Sequence, residues 1–413
     1  MSHTSFGWYV GIDWATQAHQ VILLDAERQV LGERSVPHTG GALAELADWL
    51  TAVCGGAVDR VAVAIEMPRG TVVETLLERG FAVFALNPKQ LDRFRDRYTV
   101  AGAKDDRRDA LVLAASLITD QPAFRPVRLD DPQVMRLREL ARLEAELHQE
   151  EARLTNRLRD LLHRIYPQVL RLSPAADEPW VWALLELAPT PVDARQLTRP
   201  ALSKLLRAHR IRRLTADTVL AHLQAPPLRV APGTVEAVGE HIGLLIPRVR
   251  LVHEQRAHCR RRLERVLATM AEHAPGQCGE HRDVEILRSL PGVGRLVAAT
   301  MLAEASQLLA QRDYHALRAQ GGIAPVTRQS GTRARVDMRY HCNHRLRNAL
   351  YHWGRVSAQC DRLSRQHYQV LRGRGHNHGR AVRGVVDRLL LILMAMLRSQ
   401  TSYDPTRRRA YAA

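Results

Sequence analysis

Two apolar runs in the first 70 residues each end in an acid. Gly7-Trp8-Tyr9-Val10-Gly11-Ile12 runs into Asp13, and Val61-Ala62-Val63-Ala64-Ile65 runs into Glu66. Runs of this length and composition read as buried strands. A carboxylate at the end of one is costly to desolvate unless a cation meets it. The surrounding pattern alternates. Strands are expected at 7–13, 20–25, 28–36, 59–66 and 81–86, and helices at 40–53, 70–79, 88–97 and 107–118. Asp25-Ala26-Glu27-Arg28 supplies a hairpin turn between the second and third strands. Three strands, then helix, strand, helix, strand, helix is the order of an α/β RNase H-like fold. That order puts Asp13 on the central strand and Glu66 at the end of the fourth. Asp106 and Asp109 share one face of the last helix; Asp105 with Asp109 is also a legal pair. Converging carboxylates build an oxygen-ligand site suited to Mg²⁺, and paired ions clamp the attacking and leaving oxygens of phosphoryl transfer. Lys104 and Arg107 stand beside them, able to orient a phosphate.

The charge is segregated. Residues 1–125 hold 13 basic and 16 acidic residues, whereas residues 280–413 hold 23 and 9. The excess positive charge therefore sits in the last third, where a polyanion would be gripped. Nearly all of it is Arg, with Lys only at 89, 104 and 204; Arg forks onto phosphate, though a GC-rich genome produces the same bias. The longest apolar run, Leu389 to Leu397, is too short to span a membrane and reads as a buried helix. The N-terminus has no basic-then-apolar leader, so a cytoplasmic location without a membrane partner is expected. Five scattered cysteines without a CxxC pair argue against a disulfide framework.

The chain divides into three expected parts: 1–125, 126–279 and 280–413. In the middle part, residues 133–166 read as a long helix with Leu140, Leu147, Leu154 and Leu161 every seven residues. Leu137, Leu158 and Ile165 mark the alternate position, which Glu144 and Glu151 interrupt. A second heptad-like run follows at Leu245, Val252, Cys259 and Val266. An antiparallel pair within one chain and an oligomerising coiled coil are both open. A Pro/Gly break at 274–279 opens the last part. There Leu290-Pro291-Gly292-Val293-Gly294 sits between two helices as a helix-hairpin-helix-like turn, whose glycines would let backbone N–H groups approach a phosphate. Ser330, followed by Gly331 and flanked by Arg328, Arg333 and Arg335, is a candidate nucleophile in a basic loop. Arg345, Arg347, Arg372 and Arg374 are further phosphate-contact candidates, the last two in a flexible basic loop over 372–380. His341, Cys342 and His344 lack the paired spacing of a zinc site.

Together these pieces resemble the DEDD transposases of bacterial insertion sequences, the IS one-ten group of RNA-guided recombinases. The resemblance rests on Gly11-Ile12-Asp13, the Glu66 strand, Asn87-Pro88 and Lys104-x-Asp106-x-x-Asp109-Ala110. It continues through Leu290-Pro291-Gly292-Val293-Gly294, Gly322-x-x-Pro325 with Ser330-Gly331, Leu346-Arg347-Asn348-Ala349-Leu350, and Tyr403-Asp404-Pro405. It implies a RuvC-like domain whose tetrad Asp13, Glu66, Asp106 and Asp109 binds two Mg²⁺ ions, and it favours Asp106 over Asp105. It also implies that Ser330 forms a transient phosphoserine link to DNA in a site composed with the metal site, across protomers of a dimer or tetramer. A structured non-coding RNA would guide donor and target choice. The competing expectation is a RuvC-like nuclease or junction resolvase in which water attacks.

Overall fold

The computed structural model describes residues 6–95, 97, 105–272, 280–331 and 333–407. The chain falls into two compact units that divide between Asp130 and Asp131. Lys104 and the 274–279 break, with the part boundary expected there, lie outside the described residues.

The first unit is a six-stranded mixed sheet in the order β3-β2-β1-β4-β5-β6. The strands are β1 (Trp8–Asp13), β2 (Ala18–Asp25), β3 (Val30–Pro37), β4 (Val61–Ile65), β5 (Ala82–Ala85) and β6 (Arg125–Pro126). β1–β3 form an antiparallel meander, while β4 and β5 join β1 in parallel. The hairpin turn between β2 and β3 is where expected: Asp25 Oδ1 accepts from the Gln29 N–H at 2.7 Å, and Arg28 takes a positive φ of 68°. Helices α1 (Gly40–Val53), α2 (Thr71–Glu78), α3 (Pro88–Arg95) and α4 (Asp106–Asp120) complete the unit. Each expected element is present within a few residues of its expected ends, the 40–53 helix with none shifted; β6, a two-residue edge, carried no sequence pattern. The strand order and directions are compatible with an RNase H-like transposase domain.

Strand alternation sorts the two sheet faces. Val10 and Ile12 of β1 and Val61, Val63 and Ile65 of β4 enter a core shared with α1 and α2. Ala62 and Ala64 face the other way, into the layer that holds Val112 and Leu113 of α4. Gly11 lies on that second face, so close to α4 that an added Cβ would stand 1.8 Å from the Ala110 carbonyl oxygen. Small residues on two adjacent strands thus let α4 settle directly on the middle of the sheet.

Among its described residues the second unit is helical apart from one hairpin and a short 3-10 turn. The Pro132–Ile165 and Thr234–Ala271 helices, of 34 and 38 residues, pack along each other within the chain. The expected heptad residues Leu137, Leu147, Leu154, Leu158, Leu161 and Ile165 are buried, as are Leu245, Val252, Cys259 and Val266. Glu144 and Glu151, which break the apolar pattern, are also buried. Arg256 donates to Glu144 at 3.0 Å and to Glu151 at 2.6 Å; Arg260 adds a 3.0 Å bond to Glu144, and His253 Nδ1 lies 2.6 Å from Glu151. The two interruptions are therefore a polar seam joining the helices.

The same core continues into the last third. Trp353 of the His344–Cys360 helix and Val386 and Leu389 of the His378–Ser399 helix share one cluster with Leu158 and Leu263. Leu389–Leu397 is largely buried there, and among the described residues no helix is long and apolar enough to cross a membrane.

Candidate active site

Asp13 is the last residue of β1, and Glu66 is the first residue beyond β4. The strands run parallel with Ile12 opposite Ile65, so the two acids leave neighbouring strand ends about 4.8 Å apart in backbone spacing. Alternation places both on the α4 side of the sheet. α4 begins at Asp106, which is exposed, and carries Asp109 one turn later, which is 1% exposed. An acid in the first turn of a helix is favoured by the dipole. Burial so deep still calls for a cation.

The cation is Arg95, at the end of α3. Its Nε donates to Asp109 Oδ1 at 2.5 Å and one terminal nitrogen to Oδ2 at 2.7 Å, while the other terminal nitrogen engages Asp92. Burial alone would pull the Arg95 guanidinium down, but hydrogen bonding to Asp109 and the charges of Asp109, Asp92 and Glu66 push it up. One side chain thus answers to two of the four predicted acids. Nothing in the local pattern announced it, because Arg95 and Asp109 are 14 residues apart. Among the described residues, no three His, Cys, Asp or Glu side chains are gathered closely enough to hold a metal ion. The donor chemistry nevertheless suits a hard divalent cation, because the candidates offer carboxylate oxygens only.

Beside Asp13, His19 is fully buried and stacks on Trp14. Its Nδ1 accepts from the Ala15 N–H at 3.2 Å, so its Nε2 carries the proton and donates to His38 Nδ1 at 2.9 Å. Burial, then the charge of His38, pulls His19 below the usual imidazole range and keeps it neutral. The backbone after Asp13 is tied down by this pair, which sequence reading missed. Arg107, a predicted phosphate contact, shares its Nε–H between the two carboxylate oxygens of Glu33 of β3, at 2.8 and 2.7 Å. This is an exposed pair of small energetic weight.

Ser330 ends β7 (Val326–Ser330), which pairs antiparallel with β8 (Arg333–Asp337). The segment expected to be a loop is therefore a ribbon, turned at Gly331 with φ 58°. Ser330 stands opposite Arg333, and Arg328 opposite Arg335. Opposed residues share a face and alternate pairs return to it, so Ser330 and all three arginines lie on one face of the ribbon. Asp337 is on that face as well, 2.6 Å from Arg335 and 3.8 Å from Arg328. The serine and the arginines are exposed.

The two glycines of the predicted phosphate-binding turn separate. Gly292, at φ 77°, is packed so that an added Cβ would stand 2.6 Å from Ser357 Oγ, and the Pro291 carbonyl accepts from Trp353 and Ser357. Gly294 is exposed at the N-terminus of the Arg295–Ala310 helix, with open space around it. Arg345 is exposed and Arg347 half-buried on the His344–Cys360 helix. The 372–380 segment is a tight link rather than a long loop: Arg372 ends one helix turn by donating to the His376 carbonyl at 2.7 Å, Gly375 takes φ 80°, and a new helix starts at His378. Arg372 and Arg374 remain exposed.

Two family models match the chain. Residues 10–167 match a model described as transposase, and residues 284–369 match the transposase IS116/IS110/IS902 family. A protein assigned as the transposase of the IS117 mini-circle of Streptomyces coelicolor is 31% identical over 409 residues, 97% of this chain and 96% of that protein. The insertion element IS110 protein of the same species is 29% identical over 410 residues, 96% of each chain. A protein assigned as a transposase in Sinorhizobium fredii is 49% identical over 209 residues, a stretch spanning 50% of this chain and 58% of that relative.

Proposed function

Because the chain belongs to the IS116/IS110/IS902 family of transposases, we propose that it excises and integrates an insertion element by cutting and rejoining DNA through Ser330. The observation that carries this reading is the ribbon face on which Ser330 lies with Arg328, Arg333 and Arg335. Besides a proton acceptor, which the ribbon does not supply, an attacking hydroxyl needs backbone access and positive charge around the anion that develops at phosphorus. An exposed serine beside three guanidiniums meets both needs. In the step, Ser330 Oγ gives its proton to solvent water and bonds to phosphorus. The bond to one strand oxygen breaks, and that oxygen leaves as a hydroxyl after taking a proton. One phosphodiester is replaced by another ester of similar energy, so religation by the reverse attack needs no external energy source.

Asp13, Glu66, Asp106 and Asp109 are the residues that would hold Mg²⁺. Bound there, the ions would stabilise the charge on the attacked phosphate and the leaving oxygen. Asp13 and Glu66 offer oxygens from two strand ends and Asp109 from the first turn of α4. Arg95 orients Asp109 through its two hydrogen bonds. Gly294, Arg345, Arg372 and Arg374, all exposed, would take backbone phosphates, whereas Gly292 packs within the turn itself. The partners on this reading are element-end and target DNA, a structured non-coding guide RNA and further copies of the chain. A protein with 60 Lys and Arg and only 5% aromatic residues is suited to gripping backbones while base pairing chooses sequence.

The test is a denaturing gel after incubation with Mg²⁺ and element-end or junction DNA. A covalent protein–DNA adduct is expected, lost in Ser330→Ala. Strand cleavage that persists in that variant without any adduct would transfer the attack to water and make the protein a nuclease or resolvase.

A further inference from the structure

Arg383 is a half-buried arginine of the second unit. Arg142, Arg256, Arg312 and Arg318 each hold a carboxylate, respectively Glu304, Glu144 with Glu151, Asp283 and Asp387. Arg383 lies on the His378–Ser399 helix and donates to the Met338 sulfur at 3.4 Å. Among the described residues it has no carboxylate partner. Asp387, one turn along the same helix, is already taken by Arg318 and Tyr314. The charged groups that act on Arg383 are themselves cationic: burial first, then Arg380 and Arg347, pull its guanidinium down, while the Tyr340 hydroxyl pushes it up. The Arg347 stem is itself fixed, 3.2 Å from the position a Cβ on Gly322 would take. A guanidinium drawn partly out of water beside two like charges is unfavourable until an anion arrives.

We propose that Arg347, Arg380 and Arg383, with the exposed Tyr340, form a binding site for a backbone phosphate of the DNA strand that Ser330 attacks. Position argues for DNA. Met338 directly follows β8, whose first residue Arg333 stands opposite Ser330. Five residues at roughly 3.4 Å each put the site about 17 Å along the ribbon from the serine. At 3.4 Å of duplex rise per step, the phosphate held there lies within about five steps of the attacked one. The site rests on the recombinase reading only for the identity of its strand. It would hold the substrate at a second point, so that the ribbon presents Ser330 in register.

Direct binding of the full-length protein to element-end DNA over a salt series tests this. Arg383→Gln is expected to weaken binding about tenfold, the scale of one charge-assisted hydrogen bond. It should also lower the slope of log affinity against log salt by about 0.9, one phosphate contact. Arg383→Lys should keep the slope. Thermal unfolding of Arg383→Gln should occur at or above the wild-type temperature, because like-charge crowding is relieved. At saturating DNA the serine adduct should still form, whereas absence of the adduct in wild type would fail the Ser330 reading and leave the slope result standing. If Arg383→Gln does not fold, Arg380→Gln reads the same loss. An unchanged slope in both variants, or a loss seen with RNA but not DNA, overturns the proposal.

Discussion

Arg95 has the clearest consequence of any single side chain. Asp109 is almost completely buried and its two oxygens are both engaged by this guanidinium. Removing the cation leaves a buried charge without compensation, which typically costs about 3 kcal/mol or more. Arg95→Gln should therefore lower thermal stability by that amount in metal-free buffer. Mn²⁺ or Mg²⁺ should then raise the unfolding temperature more in the variant than in wild type, because the ion replaces the lost counter-charge. Differential scanning fluorimetry with and without the ion reads both effects. An equal metal-induced shift in the two proteins would separate Asp109 from the metal site.

At the scale of elements, each unit depends on a contact within itself. α4 lies on β1 only because position 11 is glycine: the added methyl group of Gly11→Ala would meet the Ala110 carbonyl oxygen. That variant should lose about 3 kcal/mol of stability in chemical unfolding, since neither backbone element has room to yield. The long helix pair depends instead on its polar seam. Burial pushes the Glu151 carboxyl up, but the hydrogen bonds from His253 and Arg256, with their charges, outweigh it and hold the group below its ordinary value. A depressed carboxylate contributes stability that is present above its unfolded value and lost as pH falls through the folded one. Stability should thus fall as pH drops below about 4.3, the ordinary Glu value. Glu151→Gln should be less stable at pH 7 and show a flatter decline in that window, measured by unfolding temperature against pH.

For the whole molecule the governing quantity is where its charge sits. Basic residues outnumber acidic ones 23 to 9 after residue 280 but not before residue 125. DNA affinity should therefore respond to salt through the last third. Replacing Arg328, Arg333 and Arg335 together by Gln should lower the log–log salt slope by between about one and three units. Arg79→Gln should leave it unchanged, because that arginine is paired with Asp48 in the first unit. A slope insensitive to the ribbon arginines would move the DNA-binding surface elsewhere.

The order of strands and helices, the placement of the acids at strand ends and a helix start, and the segregation of charge were all legible in the sequence. Each depends on local periodicity or on composition, which need no folded chain. The heptads likewise announced both long helices, and Glu144 and Glu151 stood out as interruptions. Tertiary structure alone supplied their partners, because Arg256 and Arg260 come from a helix more than a hundred residues later. It also turned the Ser330 loop into a ribbon with its arginines on one face. Val326-Thr327 and Val336 flanking Gly331 were a faint strand signal, weaker than the surrounding charge. The clasp of Arg95 on Asp109, the seat of Gly292 against Ser357 and the carboxylate-free setting of Arg383 follow the same logic. A long flexible cation meets whatever the fold brings within reach, and spacing along the chain does not encode that meeting.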